Sequence, residues 1–496
     1  MSDIFALLFT TPIVPAAFAG VAWGILGGAL PGISPSITMA LLLPFTYGID
    51  PTVGIVLLAS TYVGAEYGGS IPAILIRTPG TNAAAATVID GYAMKVQGKA
   101  GEALGISLYA GFVGGLVGWL VLVLLTENLA EMALAFTPTS YFALGILGLS
   151  VIASLSSDSL IKGLMGGVIG LMIATVGTDP VAGMNRFTFD TPDLLSGIPP
   201  ILVMVGLFAV SEVLVQCSEP NWQKATRSEA RIRFPSPAMW RRLAIPQTIG
   251  SVIGIFEGIM PGAGGTISSF MAYNEARRWS RHKEEFGKGS PEGVAAPEAA
   301  NNTVACTALV PMLSLGIPGS NSAAILLGGL LIHGLIPGPM LFVKNPEVVD
   351  GLFLGLLVAT FAMVIIGYMI MGPCIWLVNR PKPYLMAFIF ALIMSGVYAI
   401  DHSLFQVGIV LGFGLLGYVL RLLNVPFLPM VLGVVLGFMV ESNYRRSLVL
   451  SSGDHMTFLQ EPISAGLLAA ASLFLLGSLA RQVWDYLKQN KSGTAA

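Results

Sequence analysis

Long apolar runs, separated by short polar interruptions, fill this chain from end to end. A bilayer core needs roughly 20 consecutive apolar residues for a spanning helix. Runs of about that length predict membrane helices near 104–125, 140–155, 160–176, 198–216, 352–377, 384–400, 404–422, 426–440 and 462–480. Four further runs are equally apolar but broken. Ile13 to Leu30 stops at Gly28-Ala29-Leu30-Pro31-Gly32-Ile33-Ser34-Pro35 and resumes to Phe45. Val53 to Ile76 carries Glu66 and Gly68-Gly69, then meets Thr78-Pro79-Gly80-Thr81-Asn82. A run from Thr248 breaks at Met260-Pro261-Gly262-Ala263-Gly264-Gly265. The stretch Pro297 to Pro339 is interrupted by Asn301-Asn302 and by Pro318-Gly319-Ser320-Asn321. Lipid cannot satisfy amides freed by such breaks, so these segments must be buried in protein or line a cavity. Secondary transporters hold their substrates at discontinuous helices of this kind.

Composition agrees with the pattern. Of 496 residues, 54% are hydrophobic and only 10% charged, with mean hydropathy +0.79, where a soluble domain carries about 25% charged residues. The expected fold class is an all-α polytopic membrane protein, with about 10–12 transmembrane helices plus broken or re-entrant helices. A net charge of −2 gives no basic surface for nucleic acid. Cys217, Cys306 and Cys374 are far apart and lack metal-ligand spacing. The longest polar stretches are too short for a nucleotide-binding domain, and no hydrolase triad or metal cluster is visible, so an enzyme is not expected.

The chain also compares with itself. Gly24, Gly28, Pro31, Gly32 and Ile37 match Gly254, Gly258, Pro261, Gly262 and Ile267 at an offset of 230. Pro72, Pro79-Gly80-Thr81-Asn82 and Ala84-Ala85 match Pro311, Pro318-Gly319-Ser320-Asn321 and Ala323-Ala324 at 239. Pro138, Tyr141 and Asp158 match Pro381, Tyr384 and Asp401 at 243. Three matches in one order with slowly growing offsets predict two homologous repeats, residues 1–216 and 244–480, with a polar tail at 481–496. Duplicated halves with two broken segments each fit the inverted-repeat design of secondary transporters, although sequence leaves inverted and parallel arrangements both open. The basic linker 217–243, with Lys224, Arg227, Arg231, Arg233, Arg241 and Arg242, is expected in the cytoplasm by the positive-inside rule. A cytoplasmic linker between inverted halves would put both termini outside, whereas Arg481, Lys488 and Lys491 favour a cytoplasmic C-terminus.

The candidate chemistry gathers on the breaks. Gly80-Thr81-Asn82 and Gly319-Ser320-Asn321 each follow a proline and precede a small-residue run. Thr, Ser and Asn are good N-caps, and the free amides of a helix start attract anions. Two such starts facing each other would bind a carboxylate, or hold sodium through side-chain oxygens; taken singly, each would be an ordinary turn. Asn301 and Asn302 lie in an apolar context after Glu298 and serve either a ligand or interhelical hydrogen bonds. Glu66 and Glu257 are carboxylates on interrupted segments, open to a coupling proton or cation. Ser34, Gly262 and Thr266 flank the first and third breaks and complete the candidate coupling-ion set.

At these motifs the chain resembles the large membrane subunit of tripartite tricarboxylate transporters, the TctA family. The resemblance rests on Gly28 to Pro35, Glu257 to Gly265, Lys288 to Asn302 and Leu315 to Pro339, with Asp179-Pro180 and Phe187-Thr188-Phe189, and covers nearly the whole chain. Cys306-Thr307 departs from the Gly-Gly pair that often follows EAANN in that family. The resemblance implies a bacterial inner-membrane importer of citrate-like di- and tricarboxylates, driven by a sodium or proton gradient and without a cofactor. It implies two partners, a small four-helix membrane subunit and a periplasmic solute-binding protein. The rival reading from the residues alone is an uncoupled anion channel.

Overall fold

The computed structural model describes residues 12–155, 159–179, 183–218, 231–260, 264–378 and 382–493. Gly262, Asp158 and residues 219–230 of the basic linker, with Lys224 and Arg227, lie outside the described residues. Helices dominate. In chain order they are α1 (Ile13–Gly28), α2 (Pro35–Leu42), α3 (Pro51–Gly68), α4 (Ser70–Ile76), α5 (Ala85–Val96), α6 (Ala100–Ala133), α7 (Pro138–Leu155) and α8 (Leu160–Ala174). Next come α9 (Pro200–Ser218), α10 (Pro237–Ile259), α11 (Gly264–Trp279), α12 (Pro291–Thr307), α13 (Leu309–Leu315), α14 (Asn321–Ile332) and α15 (Pro339–Lys344). The last are α16 (Pro346–Met369), α17 (Met371–Val378), α18 (Lys382–Asp401), α19 (Leu404–Leu422), α20 (Phe427–Leu450), α21 (Thr457–Gln460) and α22 (Pro462–Gly493). Among the described residues the only sheet is a two-residue antiparallel pair, β1 (Gly177–Thr178) with β2 (Asn185–Arg186).

Seven of the described helices are long and apolar enough to cross a membrane, and five shorter ones are strongly apolar. The protein is an all-α polytopic membrane protein. Prolines divide its helices less often than the sequence suggests. Pro246 and Pro297 both sit inside continuous helices, α10 and α12, so the break expected from Pro297 onward begins only after Thr307. Among the described residues the interruptions fall between Gly28 and Pro35, at Gly69, at Ala308 and at the Pro-Gly turns Pro79-Gly80 and Pro318-Gly319. The span expected at 352–377 is two helices, α16 and α17, which meet at Ile370. A π-helical stretch, Val205–Val210, lies within α9.

The chain forms two compact units. Unit 1 comprises Met1–Glu131 with Met204–Leu415, and unit 2 comprises Met132–Val203 with Leu416–Ala496. In unit 1 the closest packing follows glycine. Residues 20, 24 and 28 of α1 lie against the carbonyls of Leu57, Thr61 and Ala65 on α3, and a Cβ at any of them would overlap backbone. On α10, Gly250 and Gly254 lie in the same way against the carbonyls of Ala296 and Ala300 on α12. Small-residue stripes let membrane helices approach closely, where dispersion rather than water exclusion holds them together. Other glycines extend this packing within the unit: Gly114 and Gly118 of α6 meet α12, while Gly351 and Gly355 of α16 meet α3.

In unit 2, α20 packs on α7 and α8, and α22 on α7. Gly170 and Gly433 give α8 and α20 their close approach. A cavity of about 290 Å³ lies among Phe142, Leu171, Ala174, Gly437, Val440 and Tyr444.

Candidate functional site

The two Pro-Gly turns are built alike. Gly80 N–H donates to the Gly69 carbonyl at 3.0 Å, and Gly319 N–H donates to the Ala308 carbonyl at 3.3 Å. Thr78 N–H reaches Pro72 O at 3.4 Å, and Ile317 N–H reaches Pro311 O at 3.2 Å. Arg77 (φ 59°) and Gly316 (φ 76°) both take the left-handed conformation that ends the short helix before each turn. Thr81 Oγ1 accepts from Ala84 N–H at 3.3 Å, and Ser320 Oγ accepts from Ala323 N–H at 3.1 Å. Every one of these residues has its counterpart at the offset of 239. Each turn also sits against the end of a glycine-striped helix. A Cβ at Gly80 would overlap the Gly28 carbonyl, and one at Gly319 would overlap the Gly258 carbonyl.

The turns differ on their C-terminal sides. Ser320 is the N-cap of α14, which starts at once with Asn321. After Thr81 an extra turn intervenes, and α5 begins only at Ala85. Thr81 and Ser320 are buried with their oxygens used as caps, while Asn82 and Asn321 are exposed. The asparagines are therefore the groups at each turn free to meet a ligand.

Behind the turns lies a buried polar cluster carried by α3, α5, α6 and α12. Tyr62 of α3 shares a hydrogen bond with Ser320 Oγ at 3.1 Å. One turn along α3, Glu66 is 7% exposed and its carboxylate lies against the Asn301 amide of α12. Asn301 Oδ1 also faces the start of α11: a Cβ on Gly265 would meet it at 2.5 Å and would touch Ala83 at 3.4 Å. The neighbouring Asn302 looks elsewhere, donating from Nδ2 to Glu298 O at 3.0 Å and packing beside Gly111 of α6.

Sequence reasoning does not single out Glu298 as a site residue, yet it anchors the cluster. It is buried, and both its oxygens are occupied: Oε1 accepts from Thr87 of α5 and Oε2 from Ser107 of α6 at 3.1 Å. Ser107 bonds in turn to Ser70 at 2.7 Å. A signal for Glu298 is present, since Glu298 and Asn302 are spaced i, i+4 and share a helix face. The charged stretch just before it obscures that signal.

Ser34 caps its own helix, accepting from Ile37 N–H at 3.4 Å, and its carbonyl accepts from Thr38 Oγ1 at 3.2 Å. Glu257 is half-buried in the last turn of α10, and Thr266 is half-buried in the first turn of α11.

The Tripartite tricarboxylate transporter TctA family model matches residues 14–432, a span that holds both turns and the whole buried cluster. The chain belongs to the TctA family. It is 37% identical over 480 residues to an Agrobacterium vitis protein described as an uncharacterized 52.8 kDa protein in the TAR-I ttuC' 3' region, covering 95% of each chain. A second A. vitis protein, described as an uncharacterized protein in the TAR-II ttuC' 3' region, is 36% identical over 219 residues, 43% of this chain and 89% of that one.

In this TctA-family chain a second anchor fixes α5 to the start of α12. Asp90, fully buried, accepts from Gly289 N–H at 2.7 Å, Ser290 N–H at 2.8 Å and Tyr273 Oη at 2.9 Å. Burial, and after it the Asp90 charge, pushes the Tyr273 phenol above its usual range, which keeps it protonated as the donor. Gln97 adds a bond to Lys288 O at 2.6 Å. The helix after the first turn is thereby held to the helix that carries Glu298 and Asn301.

Unit 2 holds a closed ring of two arginines and two carboxylates. Arg186 of β2 bonds both oxygens of Glu441 at 2.7 and 3.2 Å, and Arg445 bonds both oxygens of Asp179 at 3.0 and 2.8 Å. Cross-contacts close it, Arg186 to Asp179 at 3.4 Å and Arg445 to Glu441 at 2.7 Å. The Glu441 hydrogen bonds hold the Arg186 guanidinium above its ordinary range, against the cost of burial. The ring ties the β-hairpin to α20.

Proposed function

We propose that the protein is the membrane-pathway subunit of a secondary transporter that imports small di- or tricarboxylates. The observation that carries this is the matched construction of the two Pro-Gly turns, each with a buried hydroxyl cap and an exposed asparagine. Backbone broken in this way inside a membrane protein is found where it lines a ligand cavity. In this reading the substrate docks on Gly80, Thr81 and Asn82 from one turn and Gly319, Ser320 and Asn321 from the other. Asn301 and Asn302 stand behind them. The exposed amides donate to carboxylate oxygens, and the free backbone amides of the turns add an anion-favouring field. A cation gradient drives the cycle. A periplasmic binding protein delivers the substrate and a small membrane subunit packs beside this one, in a bacterial inner membrane.

The test is uptake of labelled citrate and related acids into proteoliposomes holding this chain with its partner subunits, under an imposed cation gradient. Asn82→Ala and Asn321→Ala each remove a hydrogen bond to a charged group, worth about 1.5–3 kcal/mol, so uptake falls about tenfold or more for each. Unchanged uptake in the double variant overturns the site. Carboxylate flux that only equilibrates and ignores the imposed gradient replaces the transporter with an uncoupled channel.

A further inference from the structure

The buried cluster carries a specific imbalance. Among the described residues, Glu66 Oε2 and both polar atoms of the Asn301 amide lack a well-formed hydrogen bond, although the Asn301 amide is set against the Glu66 carboxylate as a donor. Glu66 is 7% and Asn301 2% exposed, so water from the surface does not reach them freely. Asn302 Oδ1 and Tyr67 Oη beside them also lack a partner, while other neighbouring groups are engaged elsewhere. Tyr62 bonds Ser320, Glu298 takes Thr87 and Ser107, and Thr303 bonds Gly114 O and Ala299 O. No lysine, arginine or histidine is among the buried polar residues described. A second carboxylate, Glu298, is within electrostatic reach of Glu66 and deepens the negative potential.

A buried carboxylate with only an amide beside it and no positive partner is costly by several kcal/mol. A carboxylate oxygen beside an amide oxygen suits a small hard cation. No group of three or more His, Cys, Asp or Glu gathers among the described residues, so the set does not match a transition-metal cage. Position adds to the argument. Glu66 is one helical turn from Tyr62, which holds the second Pro-Gly turn through Ser320. Asn301 and Ala83, the latter just after the first turn, both lie close to Gly265. An ion bound between Glu66 and Asn301 would pull on the supports of both turns at once.

We propose that Glu66 and Asn301 form a sodium site, placed to couple cation binding to the arrangement of the two Pro-Gly turns. This rests on the transport reading for its purpose, and it reassigns Asn301 from substrate to cation. It also selects Glu66 over Ser34, Glu257 and Thr266.

The experiment is thermal unfolding of the purified full-length protein in detergent, without carboxylate. Sodium chloride is titrated against choline chloride at constant ionic strength, and potassium chloride is run in parallel. Binding to the folded state raises Tm in a saturable way, so sodium gives a shift of several degrees that choline and potassium do not. Glu66→Gln, which keeps the shape and removes the charge, abolishes the shift, as does Asn301→Ala. Asn301→Asp, which keeps an oxygen at the same place, retains it. Equal shifts with potassium, or a full sodium response in Glu66→Gln, overturn the proposal. So does a wild type that ignores sodium but shows a pH-dependent Tm that Glu66→Gln removes, which makes Glu66 a proton carrier. Because no substrate or flux is involved, a sodium response without carboxylate uptake sinks only the transport reading, and uptake without a sodium response sinks only this site.

Discussion

Tyr62 and Asn301 stand 239 residues apart, the spacing that separates the two Pro-Gly turns, and Tyr62 supports the turn in the opposite half of the chain. Tyr62 reaches Ser320; Asn301 and Ala83 both lie close to Gly265. Tyr62→Phe removes one buried hydrogen bond and no volume. It should cost about 0.5–1.5 kcal/mol, because Ser320 keeps its capping bond to Ala323 N–H. The expected result is a Tm drop of a few degrees with a larger proportional loss of uptake, measured on the same preparation. Equal, small losses in both would mean that the bond only adds stability.

The glycines at the turns have no room for a side chain. At Gly80 and Gly319 a Cβ would overlap the carbonyls of Gly28 and Gly258, which are backbone and cannot rotate away. Gly80→Ala and Gly319→Ala should each cost about 1–3 kcal/mol, the usual range for overpacking a close contact. Gly466 on α22 has nothing within 4 Å of its added Cβ, so Gly466→Ala should be neutral or gain up to about 1 kcal/mol from helix propensity. Fluorescence-detected size-exclusion melting curves of the three variants check the order. A Gly466→Ala protein that melts as early as the other two would refute the packing argument.

Much of this architecture is legible in the sequence, for a physical reason. Proline before glycine interrupts a membrane helix, so both turns announce themselves, and a glutamate inside an apolar run is rare enough to single out Glu66. The all-α polytopic class comes from hydropathy alone, because a membrane admits so few architectures. Other features are hidden. Pro297 looks like a break, yet α12 runs through it; neighbouring helices can satisfy the carbonyl that a proline frees. Tyr62, Thr87 and Ser107 give no signal, since their partners lie 258, 211 and 191 positions away. A lone hydroxyl in a membrane helix usually bonds its own backbone, as Thr61 does with Leu57 O. Nothing along the chain marks the division into two units, each of which takes residues from both sides of 217–243.

Asp90 offers a sharper stability test than the turns. Its carboxylate is the acceptor for two backbone amides and the Tyr273 phenol, all at 2.7–2.9 Å. Asp90→Ala leaves those donors facing a gap, so about 3 kcal/mol or more should be lost. Tyr273→Phe removes one donor and leaves the carboxylate two, costing about 1 kcal/mol. The double variant should lose less than the sum, because Tyr273→Phe has no bond left to break once Asp90 is gone. Strict additivity in the melting temperatures would mean that Asp90 and Tyr273 act separately.

The ion ring of unit 2 makes an asymmetric prediction. Asp179 is 6% exposed at its side chain, whereas Glu441 is 25% exposed. Arg445 holds both oxygens of the buried carboxylate, and Arg186 holds both oxygens of the more exposed one. Stripping a partner from a buried charge is far more costly than stripping one that water can solvate. Arg445→Ala should therefore destabilise more than Arg186→Ala, by about 1–2 kcal/mol against less than about 1 kcal/mol. The Arg186→Ala loss should shrink further in about 1 M salt, where the Debye length falls to about 3 Å. Melting curves in low and high salt read both effects. A larger loss from Arg186→Ala would show that the hairpin depends on Glu441, and that Asp179 is satisfied by its other neighbours.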